Sequence, residues 1–311
     1  MARADGSGRA PVRVIYLTGT GRSGSTLLGN AVGSLPGAIS VGEVRFLLRR
    51  GLAEGGRCGC RELVTDCPVW RPALEKTFGA VPGPEEVRRM DATLTALTRR
   101  RRVRWWAAGG TSPEAEEMGD LHGRLLANLA ETSGATTIVD SSKIATFGAL
   151  LSRSPLLDVR PVHLVRDPRA VAYSWQREVA SQAVEGYDGE MERFHAGKAA
   201  AMWLHSTISV GTTFSRRGRS VLDVRYEDFV SDPAAVLRRI AEFAGLPADT
   251  GFVRDGALDL STSHAVAGNP NRMRSGPVSL RADTAWKSEL RTRDRLVVSA
   301  VTTTHRRAHG Y

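Results

Sequence analysis

Long apolar runs, lysine and cysteine are all scarce in this 311-residue sequence. The first twelve residues, MARADGSGRAPV, are small and polar, and the stretch Val12 to Leu17 behind them is short and broken by Arg13. That excludes a signal-type apolar core or a membrane span there, and leads us to expect a soluble, cytoplasmic protein. Only four lysines stand among 43 basic residues, which face 33 acids, so arginine carries most of the formal charge of +10. Such a balance favours anionic partners in general and does not choose between nucleic acid, acidic lipid and phosphorylated small molecules. The three cysteines, Cys58, Cys60 and Cys67, exclude a disulfide-stapled miniprotein in a chain of this length. No histidine follows them at finger spacing, so the expectation is no metal, with a buried cluster or one disulfide plus a spare thiol left open. With 41% hydrophobic and 24% charged residues the chain has enough apolar content for a large core, and disorder and collagen are excluded.

The pattern along the chain is strand, loop, helix, repeated. RVIYLT (Arg13 to Thr18) reads as a strand, followed at once by a Gly and Ser loop and a helix from about Ser25 to before Pro36. Ala38 to Val41 reads as a second strand. Residues 51–72 read as an irregular excursion, followed by a long helix from Glu85 to Trp106 and another from Glu114 to Glu131. These helices form an insertion over about residues 73–132. The core resumes with ATTIVD, a helix over Ile144 to Leu151, a strand at Val159 to Val165, and a helix opened by Pro168. Met191 to Phe214 reads as a helix, Val221 to Val224 as a strand, and Asp232 to Ala244 as a helix closed by Gly245. The alternation predicts a three-layer α/β/α fold with a central parallel sheet, one domain over residues 1–311.

The first loop, Gly19-Thr20-Gly21-Arg22-Ser23-Gly24-Ser25-Thr26, nearly fits G-x-x-x-x-G-K-[ST]. Its glycines let successive backbone N–H groups converge on a phosphate, and the helix behind adds its positive end. Ser25 stands where the lysine of a nucleoside-triphosphate loop would be, and Arg22 is the available cation. Further on, Arg166 at a strand end and Ser174 two turns into the next helix form a second candidate phosphate clamp at the same sheet edge.

These two motifs resemble those of the sulfotransferases that use 3'-phosphoadenosine 5'-phosphosulfate. GTGRSGST looks like their 5'-phosphosulfate loop, and LVRDPRAVAYS, from Leu164 to Ser174, looks like their 3'-phosphate motif. RYEDF, NRMRSG and Trp286 extend the likeness over about residues 12–290. The resemblance implies donor binding by Arg22, Ser23, Gly24, Ser25, Thr26, Arg166 and Ser174, by Tyr226 at the adenosine end, and by the late segment Arg274-Ser275-Gly276. It also implies Glu43, in SVGEV, as the base for the acceptor hydroxyl, and Lys143, in VDSSK, as the cation at the bridging oxygen. Asp140, Ser141 and Ser142 depart from the lysine-threonine-histidine pattern of the cytosolic aryl enzymes, which leaves the register of Lys143 open by a residue or two. His264, in SHAVAGNPNRMRSG, is either an acceptor contact or a loop histidine bonded to backbone.

The expected reaction is transfer of a sulfuryl group to a hydroxyl of a small-molecule, sugar or lipid acceptor, with adenosine 3',5'-bisphosphate as product. Trp105, Trp106, Phe194 and Trp203 either line the acceptor cleft or belong to the core. One alternative is a P-loop kinase or nucleotide hydrolase with Asp140 as its magnesium carboxylate, against which Ser25 counts. Another is a nucleic-acid or membrane-surface binder built on Arg99 to Arg104 with Trp105 and Trp106, although no nucleic-acid partner is expected. Acceptor identity and oligomeric state are open.

Overall fold

The computed structural model describes residues 10–177, 193–215, 218–254 and 256–311. Its spine is a five-stranded, wholly parallel sheet in the order β2-β3-β1-β4-β5. The strands are β1 (Val12–Gly19), β2 (Ala38–Gly42), β3 (Thr137–Lys143), β4 (Leu157–Val165) and β5 (Leu222–Arg225). Val14, Ile15, Tyr16 and Leu17 of β1 are all fully buried, as expected of a central strand covered on both faces.

Helix α1 (Ser25–Gly33) follows β1 directly. Between β2 and β3 come a π-helical turn (Leu47–Ala53), the cysteine-bearing excursion, and the helices α2 (Trp70–Phe78), α3 (Pro84–Thr98), α4 (Val103–Ala107) and α5 (Pro113–Ser133). After β3 and β4 come α6 (Ala145–Leu151), α7 (Pro168–Gln176) and α8 (Ala196–Thr213). After β5 come α9 (Tyr226–Ser231) and α10 (Pro233–Ala244), and later α11 (Trp286–Glu289) and α12 (Thr292–Ala308). One apolar core joins α2 to α6 to one face of the sheet through Tyr16, Trp70, Trp106 and Phe147. A second joins α1 and α10 to the other face through Ile15, Leu28, Phe229 and Ile240. The result is the expected three-layer α/β/α architecture. No helix among the described residues is long and apolar enough to cross a membrane.

Local chemistry sets several element ends. Pro168 and Pro233 occupy first helical turns, with the Asp167 and Asp232 carboxylates accepting from the N–H groups of Arg169 and Ala235. Gly245 closes α10 in the left-handed conformation.

The long helix expected from Glu85 to Trp106 is broken. Arg99 is extended (φ −57°, ψ 141°), and a 3-10 turn over Arg100–Arg102 leads into α4. A straight helix would carry the run of like-charged arginines onward with both tryptophans. The break instead folds Trp106 back into the core, where its Nε1 donates to the Leu97 carbonyl at 3.0 Å. The helix expected from Met191 begins at Ala196, and residues 191 and 192 lie outside the described residues. A small antiparallel sheet, β6 (Val253–Arg254), β7 (Ala257–Leu260) and β8 (Gly276–Ser279), was not foreseen. Its strands of two to four residues carry no readable alternation.

Candidate active site

The carboxyl ends of β1, β2, β3 and β4 open into one cleft of about 750 Å³. Its cationic lining residues are Arg22, Arg50, Arg100, Lys143, Arg166, Arg274 and Arg281, and among the described residues Glu43 is the only acid that lines it. Such an excess of one sign in a concave site concentrates anionic ligands.

The loop from β1 supplies Thr20, Gly21, Arg22 and Gly24 to the cleft, and the first turn of α1 adds Ser25 and Thr26. Gly24 has φ +88°, and a Cβ there would run into the Tyr226 ring. A Cβ on Gly21 would lie 2.9 Å from the Trp175 ring. The loop is thus clamped by two aromatic faces, and glycine is what permits the approach. Arg22 takes a left-handed φ of +67°, costly for a residue with a side chain, and its guanidinium lies 5.0 Å from the Trp175 ring centroid. Ser23 is 1% exposed, does not line the cleft, and its Oγ has no hydrogen-bond partner among the described residues.

Arg166 leaves the end of β4 nearly buried. It donates to the Arg22 carbonyl at 2.9 Å and to Asp283 Oδ2 at 3.0 Å, and its guanidinium covers the Tyr226 ring at 4.7 Å. Ser174 reaches the same cleft from α7, and Tyr226 from the start of α9. The two phosphate motifs read from the sequence therefore meet in space. Arg274 also lines the cleft, whereas Ser275 and Gly276 do not; Gly276 pairs with Leu260 in the small sheet.

Glu43 and Lys143 form an ion pair, Nζ to Oε1 at 2.6 Å. Lys143 is brought there by an irregular end to β3: its pairing with β1 shifts register between Asp140 and Lys143, just after the pairing with β2 shifts between Val139 and Asp140. Lys143 itself has φ +69°. Bulged strand ends of this kind re-aim side chains, and this one turns Lys143 over the carboxylate. On its other side Glu43 is met by Gly268 (φ +118°), where a Cβ would stand 2.9 Å from Oε1.

Asp140, three residues before Lys143, is fully buried and does not line the cleft. Its Oδ1 accepts from the N–H and Oγ of Ser142, and its Oδ2 has no hydrogen-bond partner among the described residues. Burial pushes its carboxyl up to about 7, against the pull of the Ser142 hydrogen bonds. This placement removes Asp140 from the magnesium role of the kinase alternative.

Phe46, Arg50, Arg100, Val103, Met202 and His205 form much of the remaining wall. Arg50 reaches the cleft from the π-helical turn, and Arg100 and Val103 from the break at Arg99, neither of which has a local sequence signature, whereas Met202 and His205 reach it from α8. Trp106 and Trp203 are core residues, 1% exposed, and Trp105 packs edge-on against Trp106. Phe194 stacks on Trp175 rather than lining the cleft.

The expectation of no metal is corrected by the excursion. Cys58, Cys60, Cys67 and His264 bring their ligand atoms within 4.8 Å of one another, a candidate metal-binding cluster. His264 faces these thiols through Nδ1 and does not line the cleft. The Cys67 thiol is held low, first by a hydrogen bond from Cys58 and also by His264 and the Trp70 and Val69 N–H groups. The same hydrogen bond raises Cys58.

By architecture and site, this is a three-layer α/β/α protein whose cationic cleft lies at the carboxyl edge of a parallel sheet. The family follows from sequence comparison: residues 14–250 match the model of the Sulfotransferase family, and the chain belongs to that family of transferases. It is 32% identical to human carbohydrate sulfotransferase 3 over 108 residues, covering 31% of this chain and 22% of that protein. With human carbohydrate sulfotransferase 2 the identity is 28% over 175 residues, covering 46% of this chain and 33% of that protein. The matched region thus spans a third or less of these relatives' length. The solved sulfotransferase domain from the Synechococcus PCC 7002 olefin synthase aligns with 94% of this chain and 95% of its own, at 20% identity and a TM-score of 0.49.

Proposed function

We propose that the chain transfers the sulfuryl group of 3'-phosphoadenosine 5'-phosphosulfate to an acceptor hydroxyl. The observation that carries this reading is the convergence of Arg22, Arg166 and Ser174 with the Glu43–Lys143 pair in one cleft. In this reading the β1 loop and the start of α1 hold the 5'-phosphosulfate, Arg166, Ser174 and Arg274 hold the 3'-phosphate, and Tyr226 packs at the adenosine end.

The acceptor oxygen attacks sulfur, a new S–O bond forms, and the S–O bond to the bridging oxygen of the 5'-phosphate breaks. Glu43 takes the acceptor proton, and the bisphosphate leaves with the bonding pair. Lys143 and Arg22 supply positive charge where negative charge develops on the leaving oxygen. The strained backbone at both cations fits this assignment, because such conformations concentrate where a side chain must be aimed. The similarity to carbohydrate sulfotransferases favours a sugar hydroxyl among the acceptor classes.

Calorimetry with adenosine 3',5'-bisphosphate and with AMP tests the donor. The 3'-phosphate should add roughly 1.5 to 3 kcal/mol, and Arg166→Ala should remove most of that preference. Equal affinities in the native chain would remove the basis for the donor. A screen of sugars, phenols and lipids with sulfur-labelled donor then identifies the acceptor class.

A further inference from the structure

We infer that Cys58, Cys60, Cys67 and His264 hold one structural zinc ion, which fastens the cysteine excursion to the segment that backs Glu43. The inference stands apart from sulfuryl transfer, since it concerns side chains outside the cleft.

Zinc bonds of about 2.3 Å to sulfur and about 2.0 to 2.1 Å to imidazole nitrogen, at tetrahedral angles, place sulfurs about 3.8 Å apart and sulfur about 3.6 Å from nitrogen. Here Cys60 Sγ lies 3.7 Å from Cys67 Sγ, and His264 Nδ1 lies 3.8 Å from Cys58 Sγ and 3.3 Å from Cys67 Sγ. The cysteines are not joined in disulfides. Three soft sulfur ligands and one imidazole in this geometry select zinc over the oxygen-seeking cations. With four protein ligands no position remains for a substrate, so the site is structural.

The surroundings are those of an ordered ligand set. The turn that presents Cys58 and Cys60 is closed by the Arg61 N–H to the Cys58 carbonyl at 2.9 Å, with Arg61 in a left-handed φ of +77°. Behind Cys67 the chain turns directly into α2, with the Arg71 N–H donating to the Cys67 carbonyl at 2.9 Å. His264 is fixed through its own backbone: its N–H donates to the Ser40 carbonyl at 2.8 Å, and its carbonyl accepts from Trp70 Nε1 at 2.7 Å.

The ligands thus span three parts of the chain. The ion would join the turn at 58–60, the start of α2 behind Cys67, and the tail segment lying along β2. Two residues beyond His264, the Val266 N–H bonds to Val41, and Gly268 then meets the Glu43 carboxylate. Arg272, farther along, donates to the Arg57 carbonyl beside Cys58.

The test uses the full chain, expressed with added zinc and purified without chelator. Elemental analysis should find one zinc per chain, and Cys67→Ser and His264→Ala should each lower that content; unchanged content in both variants overturns the ligand set. Where a variant misfolds, the wild-type chain decides the matter. After chelator treatment, cobalt(II) should give thiolate charge-transfer and tetrahedral ligand-field bands, and metal removal should speed proteolysis between residues 261 and 274. Zinc far below one per chain together with no cobalt spectrum, or a Cys60–Cys67 disulfide found by mass spectrometry, overturns the site. None of these readouts depends on transferase activity, so loss of the proposed donor or acceptor leaves them standing.

Discussion

Asp140→Asn isolates the cost of keeping a carboxyl in the core. A free aspartate titrates near 3.8, whereas Asp140 is pushed up to about 7, chiefly by burial. Between those two values the folded chain binds the proton and the unfolded chain does not, so stability must fall as pH rises through the window. Below about pH 4 both states are protonated and Asp140 carries no such cost; above about pH 7 the cost is complete. A difference of about three pH units corresponds to about 4 kcal/mol, one residue's share of the pH dependence. Asparagine keeps the Oδ1 acceptor for Ser142 but cannot ionise. Its Nδ2, standing where Oδ2 stood, imposes a penalty that is the same at every pH, so the difference in slope between the two proteins isolates the titration. Urea unfolding followed by tryptophan fluorescence, at steps from about pH 4 to pH 8, gives both profiles. The wild-type stability should decline relative to the variant across the window, with no further divergence above it. Parallel profiles would refute the assignment of a raised carboxyl to Asp140.

Glu43→Gln should lower single-turnover transfer to an alkyl or sugar hydroxyl by about 10²- to 10⁴-fold while leaving bisphosphate affinity nearly unchanged; near-native turnover would place the base elsewhere. Asp283→Asn frees Arg166 from a competing carboxylate that is 31% exposed, so bisphosphate binding should tighten by about two- to fivefold in calorimetry. Weaker binding in that variant would show that Asp283 orients Arg166 rather than competing for it. Gly24→Ala forces a side chain into a left-handed position against the Tyr226 ring, and should cost about 1 to 3 kcal/mol in thermal or chemical unfolding as well as donor affinity.

The legible parts of the site were those whose chemistry is local in the chain. A strand, a glycine loop and a helix N-terminus lie within fifteen residues of one another, and Arg166 to Ser174 is again strand end followed by helix. Glu43 and Lys143 were implied by the family resemblance, with the register of Lys143 left open, and the bulge that aims Lys143 has no sequence mark. The cysteine cluster shows the opposite case. Spacing around Cys58, Cys60 and Cys67 offers three ligands, and the fourth, His264, lies 197 residues beyond Cys67. Only the tertiary fold, which lays the tail along β2, brings it in. The helix break at Arg99 was hidden for a related reason: spacing of Val87, Met90, Leu94 and Leu97 describes α3 well, but the burial of Trp106 is decided by contacts outside the helix. Past Arg274 the chain enters a strand of the small sheet at Gly276, and neither Ser275 nor Gly276 lines the cleft that Arg274 lines.

The helical wall of the cleft has a consequence for how such a protein can diversify. Phe46, Arg50, Arg100, Val103, Met202 and His205 stand on two 3-10 turns, a π-helical turn and two helices, and none belongs to a strand of the central sheet. Arg22, Arg166 and Lys143 instead stand in the sheet's own strand ends and loops. Changes to the first group leave the backbone ladder of the sheet untouched, so one half of the cleft is free to drift while the other is tied to the strands of the central sheet. A mutational library confined to that wall would therefore vary what the cleft accepts while leaving the strands of the sheet unchanged.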